Sequence, residues 1–394
     1  MGTSSYFASK PLLSLLAFLT VLLLVLITLR DQLSPWTIGL RGVRVTVGGS
    51  REPTGAASIP NDRLLGGLLS PDFDEQSCLS RYEVTLYRKA STHILSSYLL
   101  SKLRKYEALH KKCAPNTPLF QKSVEQIKLN HSTDQLECNY VVLSPSDGIG
   151  NRMLALTATF LYALLTDRVM LMHQPEDMVD LLCEPFPGAS WYLPSDFPIQ
   201  GLEWQNTNSQ NSYGYLVEKN LINTDPKAPP SSLPSSLYVH LMNDMRDNHL
   251  HVRFFCDDDQ LVISKINWVL LRTNQYIIPG LFIIPKYAEE LEQMFPSKET
   301  VFHHLGRYLL HPSNTVWGMI MSLAGIKPWY LHIAILDRNI TNHPCRRALS
   351  LDPCYHTPPH FNCKTGGKAD PRNIVPHVRQ CDDYTHDPAI KLYD

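Results

Sequence analysis

The stretch with the clearest chemical potential is the glycine turn, defined here as residues Asp147 to Arg152, with the sequence DGIGNR. It combines a carboxylate, two glycines, an amide and a guanidinium. A turn of this type between a strand and a helix exposes backbone N–H groups, which bind an anion or a sugar hydroxyl. The candidate binding residues are Asp147, Gly148, Gly150, Asn151 and Arg152. The alternative interpretation is that the glycines only permit a tight turn.

The turn departs from the dinucleotide-binding fingerprint. The third glycine of that fingerprint is replaced by Met153, and no acidic residue suited to a ribose follows the next predicted strand. Asp147 and Arg152 are therefore interpreted in two ways. Either they pair with each other and order the turn, or they bind substrate directly.

Two acidic residues are the candidate catalytic bases. Asp244 and Asp247 lie in a polar segment after a predicted strand, Tyr238 to Met242. A carboxylate in such a position can accept a proton from a substrate hydroxyl. The alternative is that each side chain caps a turn.

A run of three aspartates, Asp257 to Asp259, raises the possibility of a metal site. Two carboxylates in a D-x-D arrangement can hold Mg²⁺ or Mn²⁺ against a pyrophosphate. These residues directly precede a predicted helix, Leu261 to Leu271, where acidic side chains cap the helix and complement its dipole. The sequence therefore favours a structural role, and no metal or other cofactor is predicted.

A second group of basic residues lies in a predicted helix from Pro296 to His311. The apolar stripe of this helix consists of Val301, Leu305 and either Tyr308 or Leu309. His304, Arg307 and His311 are predicted to share an adjoining face, where they can contact a sugar or a phosphate. The alternative is a structural role for each. His303 and His304 are predicted to point in different directions and not to form a metal pair.

Hydrophobic patterning places the glycine turn in a βα unit. Tyr140 to Leu143 is predicted to be a buried strand, Met153 to Leu165 a buried helix, and Arg168 to Met172 the next strand. The predicted fold class is α/β. Upstream, Tyr98 to Lys112 is predicted to be a basic amphipathic helix. Its apolar face consists of Leu99, Leu103, Tyr106 and Leu109.

The N-terminal region predicts a membrane anchor. Leu12 to Leu29 is an apolar run of 18 residues, or about 27 Å of helix. No small-residue cleavage site follows it, which favours an uncleaved anchor over a signal peptide. Residues 1–11 are then a cytosolic tail and residues 30–75 a flexible stem rich in Gly, Ser, Pro and Thr, with packed structure starting near Leu64.

Features of the sequence disagree about which side of the membrane the body of the protein lies on. Basic residues are more numerous after the span than before it, which favours a cytosolic body. Two glycosylation sequons, at Asn130 and Asn339, and the cysteine content favour the lumen. We predict a lumenal body. The formal net charge of −1 gives no indication of a nucleic-acid partner.

Nine cysteines are present, an odd number. Disulfides are predicted over zinc, because structural zinc sites use closely spaced cysteine pairs and none occurs here. The pairing is left open, and at least one thiol must stay free or bond another chain. The cysteines are Cys78, Cys113, Cys138, Cys183, Cys256, Cys345, Cys354, Cys363 and Cys381.

Several long motifs occur in one order along the chain. They are SPSDGIGNRMLALTATFLYALLTDRVML, CEPFPGASW (Cys183 to Trp191), TVFHHLGRYLLHPSNTVWG (Thr300 to Gly318), KPWYL (Lys327 to Leu331) and the ending from Cys345 to Cys381. Together they resemble the plant xyloglucan fucosyltransferase family of Golgi enzymes. The resemblance runs from about Leu64 to the C-terminus.

The resemblance implies a function and a location. The family transfers L-fucose from GDP-fucose to O-2 of a galactose on xyloglucan, with inversion and without a metal. It implies a single-pass type II protein of the Golgi membrane, with the body in the lumen. Its partners would be GDP-fucose, xyloglucan or another galactose-bearing glycan, and other Golgi glycosyltransferases. The implied architecture is two Rossmann-like lobes of the GT-B-like type facing a cleft.

One departure from the family pattern changes these expectations. Family members carry a long donor-binding segment with motifs resembling GIQVR and WSTFGY, whereas this chain passes almost directly from Trp317 to Lys327. A block on the order of 100 residues or more is expected to be absent. Residues 76–317 are then a Rossmann-like N-terminal catalytic lobe, and 318–394 a disulfide-rich remnant of a truncated second lobe. Weak or absent transfer is expected, and the alternative function is a non-catalytic carbohydrate-binding or partner protein.

Overall fold

A computed structural model describes five parts of the chain, residues 62–86, 93–242, 250–324, 361–364 and 367–368. The predicted cytosolic tail, the anchor and residues 30–61 of the stem lie outside the described residues. So do the candidate bases Asp244 and Asp247 and the sequon residue Asn339.

A parallel sheet forms the centre of the fold, with the strand order β2-β1-β4-β3. The strands are β1 (Tyr140–Pro145), β2 (Val169–Met172), β3 (Ser236–Leu241) and β4 (Trp268–Thr273). In the central register, Val142 lies opposite Leu171 on one side and Leu270 on the other. The strands are buried almost throughout, as is usual when helices cover both faces of a parallel sheet. The α/β prediction is confirmed.

Helices and turns surround this sheet. The helices are α1 (Leu79–Glu83), α2 (Ser97–Cys113), α3 (Pro118–Ile127), α4 (Ile149–Thr166), α5 (Tyr213–Glu218), α6 (Asp257–Ile263), α7 (Ile278–Leu281), α8 (Ala288–Met294), α9 (Val301–Leu309) and α10 (Asn314–Ala324).

The βα unit around the glycine turn is confirmed, because β1, α4 and β2 follow one another as predicted. Helix α4 ends where Asp167 adopts the left-handed conformation, at φ 48°. Among the described residues, α4 is the one helix with the length and hydropathy of a membrane span. It is buried from Ala155 to Leu165 inside the core, and this packing accounts for its apolar character.

Helix α2 confirms the predicted amphipathic segment. The Ser96 hydroxyl caps it by accepting from the backbone N–H groups of Tyr98 (3.1 Å) and Leu99 (3.4 Å). Leu99 and Leu103 are fully buried on its apolar face. The packed core also includes Leu68 and Leu69, which the sequence had placed within the stem. These residues agree with a start of packed structure near Leu64.

The prediction of one helix from Leu261 to Leu271 is wrong. Helix α6 covers Asp257–Ile263, and Trp268–Thr273 forms β4. A short apolar run fits a buried strand as well as a buried helix, so its periodicity cannot distinguish them. Long-range pairing decides, because β4 fills the place between β1 and β3.

Six of the cysteines form three disulfides, which confirms for these six the prediction of disulfides rather than a zinc site. They join Cys78 to Cys183, Cys113 to Cys138, and Cys256 to Cys363. The last bond ties a short hairpin, β5 (Phe361–Asn362) and β6 (Gly367–Lys368), to the residue before α6. Cys345, Cys354 and Cys381 lie outside the described residues.

Helix α10 runs across the predicted domain boundary at residues 317 and 318. The Trp317 side chain is buried, and its indole N–H donates to the Glu83 carboxylate at 2.6 Å. Helix α10 packs against α1, so the start of the predicted remnant is continuous with the lobe before it.

Candidate functional site at the carboxyl end of the sheet

The glycine turn and Asn274 meet at the carboxyl end of the sheet, where all four strands end. From β1 the chain continues to β2 on one side, while β4 lies on the other side of β1. Ligands of parallel sheets usually bind outside the carboxyl ends of the strands. The glycine turn follows β1, and Asn274 follows β4.

The left-handed residue of the turn is Asp147, at φ 65°, and not a glycine. Gly148 has an extended conformation at φ −66°, and Gly150 lies within α4. A Cβ atom added to either glycine would meet no atom within 4 Å. Neither backbone conformation nor packing therefore requires glycine here. The two glycines leave open space in front of α4, and the tight-turn interpretation does not explain them.

The amino end of α4 borders this open space. Gly148 is the N-cap residue, and no side chain caps the helix. The first N–H groups of a helix have no partner within the helix and carry the positive end of its dipole. This end of α4 is therefore suited to an anion or to a sugar hydroxyl that accepts a hydrogen bond.

Arg152 fixes the turn in a way that differs from the predicted Asp147–Arg152 pair. Its Nε donates to the backbone carbonyl of Asp147 at 2.7 Å, and its Nη1 donates to the Asp177 carboxylate at 2.7 Å. The hydrogen bond from Arg152 lowers the pKa of Asp177. Arg152 thus contacts the backbone rather than the carboxylate of Asp147, because that carboxylate is bonded to Asn274.

Asn274 is a site residue that the sequence analysis missed. Its buried side-chain amide donates to a carboxylate oxygen of Asp147. The residues on either side of Asn274 join the end of β4 to β3. The Thr273 hydroxyl donates to the backbone carbonyl of Leu241 at 2.8 Å, and the Gln275 side-chain amide donates to the same carbonyl at 3.1 Å. The sequence carries a signal for this residue, the polar run TNQ directly after the apolar β4 residues, but the helix predicted for Leu261 to Leu271 conceals the strand end that the run follows.

Two of the three aspartates before β4, Asp257 and Asp259, make structural contacts. The buried Asp259 carboxylate accepts hydrogen bonds from the Tyr213 hydroxyl and from Arg253 Nε, the latter at 3.0 Å. Burial raises the pKa of Asp259. Asp257 accepts from the backbone N–H of Lys286 at 3.0 Å. Within the described ranges, no group of three His, Cys, Asp or Glu side chains is arranged to hold a metal ion.

His304 and Arg307 lie on α9, but their described contacts are not with the glycine turn. The His304 ring lies 6.5 Å from that of His93 and 5.2 Å from that of His303. The rings of His303 and His304 lie edge to face, with an angle of 87° between their planes. Burial lowers the pKa of His304 to about 4 and also lowers the pKa of Arg307.

The shared helix face predicted for His304, Arg307 and His311 is wrong. Helix α9 ends at Leu309, so His311 lies beyond the helical period. The backbone carbonyl of the buried His311 accepts from Cys183 N–H at 2.8 Å. Pro312 follows directly, and a proline cannot continue a helix with a full set of hydrogen bonds.

A polar network at the end of β3 was also missed. The buried His240 ring contacts the Tyr238 hydroxyl through Nδ1 at 2.7 Å. The Tyr238 hydroxyl donates to the backbone carbonyl of Gln205 at 2.9 Å. Strand β3 ends at Leu241 at the same end of the sheet, just before the segment that contains the candidate bases.

Asn130 is the sequon residue that the structure describes. It is exposed and left-handed, at φ 57°. The Ser132 hydroxyl of the same sequon is buried and donates to the backbone carbonyl of Pro234 at 2.6 Å. This surface lies near the amino ends of β3 and β4, at the end of the strands opposite to the glycine turn.

Comparison with known proteins gives one consistent family. The model of the family described as xyloglucan fucosyltransferase matches residues 39–322 and 320–364. A galactoside 2-alpha-L-fucosyltransferase of Arabidopsis thaliana is 48% identical over 264 residues, which cover 67% of this chain and 46% of the relative. A galactoside 2-alpha-L-fucosyltransferase of Pisum sativum is 32% identical over 482 aligned residues, covering 86% of this chain and 83% of the relative.

A solved structure agrees with these relatives. Arabidopsis thaliana FUT1, as an arginine-to-lysine mutant in complex with GDP, matches with a TM-score of 0.63 and 48% identity. The match covers 67% of this chain and 57% of that chain. This chain spans about half the length of the first curated relatives that it matches.

Proposed function

Because this chain belongs to the xyloglucan fucosyltransferase family, we propose that it binds a fucosyl donor or its galactose-bearing acceptor at the glycine turn. The reaction that we propose for this site is transfer of L-fucose from GDP-fucose to O-2 of a galactose on xyloglucan or a related glycan, with inversion at the anomeric carbon of fucose. The GDP complex of the Arabidopsis structure supports a guanine nucleotide donor.

The observation that carries this proposal is the open space at the uncapped amino end of α4. Gly148 and Gly150 would meet no protein atom if each carried a Cβ, so the space is suited to close approach by a ligand. Arg152 lies beside it and is held by Asp177. A cation and a helix amino end together stabilise the negative charge that develops on a departing diphosphate.

The other chemical requirements point to the end of β3. An acceptor hydroxyl needs a base or a water relay, and the oxocarbenium-like centre needs negative potential. Asp244 and Asp247 remain our candidate bases. His304 and Arg307 on α9 remain our proposed substrate contacts. We propose that no metal takes part, and unchanged GDP binding in a chelator would support this.

We further propose that this particular chain transfers fucose weakly or not at all. The alignment with the pea relative spans 482 positions, more than the 394 residues of this chain. That alignment therefore opens gaps in this chain, and the two pieces of the family match meet at residues 320–322. These facts support the absence of a donor-binding block and a truncated second lobe in a GT-B-like plan.

A second candidate function is favoured by the same two-piece match. In that case the chain is a non-catalytic carbohydrate-binding protein or a partner of other Golgi glycosyltransferases. We propose a Golgi location in either case, with a single-pass type II anchor and a lumenal body. The three disulfides and the exposed Asn130 support an oxidising, glycosylating compartment.

The decisive experiment compares this chain with a form in which the corresponding block of the pea relative is inserted between Trp317 and Lys327. Both purified chains are incubated with labelled GDP-fucose and galactosylated xyloglucan, and GDP binding is measured by calorimetry. We expect transfer from the restored form only. Family-like transfer by the unmodified chain would contradict the proposed loss. Failure of both forms to bind either GDP or the glycan would contradict the proposed site.

A further inference from the structure

Trp204 is one of the most exposed large apolar side chains in the described part of the protein, at 79% exposure. It lies in a turn, Leu202–Trp204, whose first residue is buried in the core. An indole left in water forgoes the stabilisation that its burial would supply. An exposed indole on a mobile loop would be unremarkable, but this one is held firmly in place.

Four hydrogen bonds hold the turn that carries Trp204. The backbone N–H of Trp204 donates to the carbonyl of Gly201 at 3.0 Å, and Gly201 takes the left-handed conformation at φ 67°. The Arg272 guanidinium donates to the carbonyls of both neighbours, Glu203 and Gln205, the latter at 2.9 Å. The Tyr238 hydroxyl donates to the same Gln205 carbonyl. The backbone on each side of Trp204 is therefore anchored to the sheet.

Glu203, which precedes Trp204 in the turn, lies close to His173. The His173 Nε2 lies 3.7 Å from a carboxylate oxygen of Glu203, and both side chains remain partly exposed. An aromatic face beside planar polar groups is suited to a pyranose ring, whose C–H faces are apolar and whose hydroxyls form hydrogen bonds. The turn adds no cluster of like charge, which favours a neutral ligand over an anionic one.

The turn lies at the same end of the sheet as the glycine turn. Arg272 is paired in register with Ser144 on β1, and Asp147 follows three residues later. At about 3.3 Å per residue, Arg272 lies on the order of 10 Å from Asp147 along the strand direction. Leu202 packs on the face of the sheet opposite to α4, so the Trp204 turn and α4 approach this end of the sheet from different faces. The His173 N–H donates to the carbonyl of Leu143 on β1, which places His173 at the same end.

We propose that Trp204 is a stacking platform for a pyranose ring of the acceptor glycan, with Glu203 and His173 contacting its hydroxyls. The inference rests on the proposed function, because it assigns a subsite for the same glycan. An anchored aromatic side chain loses little conformational freedom on binding. The platform therefore positions a sugar unit beyond the one at the glycine turn.

The test measures binding of a galactosylated xyloglucan oligosaccharide to the full chain in detergent, by calorimetry without GDP. We expect Trp204→Ala to weaken binding about tenfold and Trp204→Phe to keep it within about threefold, because a second aromatic ring restores stacking. Leu129→Ala is the matched control, since Leu129 is also exposed but lies near Asn130 at the opposite end of the strands. It should bind as the unmodified chain does.

Tryptophan fluorescence gives a second measurement, which would not change on glycan binding if Trp204 had only a structural role. The oligosaccharide should protect the exposed indole from acrylamide quenching, and this protection should disappear in Trp204→Phe although binding remains. Equal affinity of Trp204→Ala and the unmodified chain would overturn the inference. A second result would also overturn it. If the unmodified chain forms a dimer that Trp204→Ala does not form, and glycan affinity is unchanged, the turn is a protein interface.

The same titrations separate this inference from the proposed function. GDP binding should be equal in all the Trp204 variants, because the platform lies away from the amino end of α4. If GDP binds but the oligosaccharide does not bind the unmodified chain, the platform is overturned and the donor site stands. If the glycan binds independently of Trp204, the proposed function stands and the platform fails.

Discussion

The side-chain amide of Asn274 donates to the carboxylate of Asp147, and this bond joins the end of β4 to the end of β1. Asn274 is buried, whereas the glycine turn is exposed. The bond therefore ties an exposed turn to a buried strand end. Asp147 is also the left-handed residue of the turn, so one side chain sets both the conformation and the position of the site.

Replacement of Asp147 should separate its two roles. Asp147→Asn keeps an acceptor oxygen and tolerates the left-handed conformation, so we expect nearly unchanged stability. Asp147→Ala loses the acceptor and strains the backbone, and the free energy of unfolding should fall by about 2 kcal/mol. Urea denaturation measures both variants. Equal losses in the two variants would contradict the role assigned to the Asn274 bond.

Glycine replacement should separate binding from stability. Gly150→Ala adds a methyl group in open space within α4, and we expect unfolding free energy to stay equal or rise by up to about 1 kcal/mol. Ligand affinity should fall, because the methyl group occupies the space proposed for the ligand. Calorimetry with GDP and with the oligosaccharide tests this. Unchanged affinity for both ligands would indicate that the open space is not used.

Gly280→Ala is the contrasting control for that variant. A Cβ at Gly280 would overlap the ring of Phe255, so the buried contact must shift. We expect a loss of about 1–3 kcal/mol in unfolding free energy with ligand affinity unchanged in the molecules that remain folded. The two alanine variants should therefore give opposite patterns.

His110 should make stability depend on pH. Its Nε2–H donates to the carbonyl of Ser190 at 2.9 Å, and burial lowers its pKa from 6.5 to about 4. Between these values the unfolded chain binds a proton that the folded chain does not, so this residue makes stability fall as pH falls from about 6.5 to 4. The full effect of this shift is about 3 kcal/mol.

Comparison with His110→Phe isolates that contribution. The phenylalanine ring can keep the contact with Phe186, whose ring centroid lies 4.2 Å from that of His110. Carboxylates with raised pKa, such as Glu107 and Glu184, act in the opposite direction in both proteins. Urea denaturation across pH 4–7 should show that the unmodified protein loses up to about 3 kcal/mol of unfolding free energy relative to the variant as the pH falls. Parallel curves would contradict the assignment.

The disulfide between Cys256 and Cys363 should hold the hairpin of β5 and β6 to the body of the protein. It spans 107 residues of sequence, and a link of that length stabilises a fold by up to about 4–5 kcal/mol in the chain-entropy description. Cys256→Ser should make the chain near residues 361–368 sensitive to limited proteolysis. Cys363→Ser should give the same fragments, and an unchanged digestion pattern in both would show that other contacts hold the hairpin.

Local patterns were sufficient for several parts of the fold. The unit of β1, α4 and β2 was predictable because apolar runs and a glycine turn are encoded by neighbouring residues. The apolar face of α2 was predictable from helical spacing, with Leu99 and Leu103 one turn apart. The position of β4 was not predictable in this way. Its apolar run is too short to distinguish a strand from a helix without knowledge of its partners.

The sequence by itself determined the glycine turn, the secondary structure on either side of it and the family motifs, because these depend on residues that are close in the chain. Only the tertiary structure placed Asn274 against Asp147, across 127 positions of sequence, and Arg272 beneath the turn that carries Trp204, about 70 positions before it. Strand order brings these residues together, and strand order follows from burial of the whole sheet between its helices rather than from any single segment.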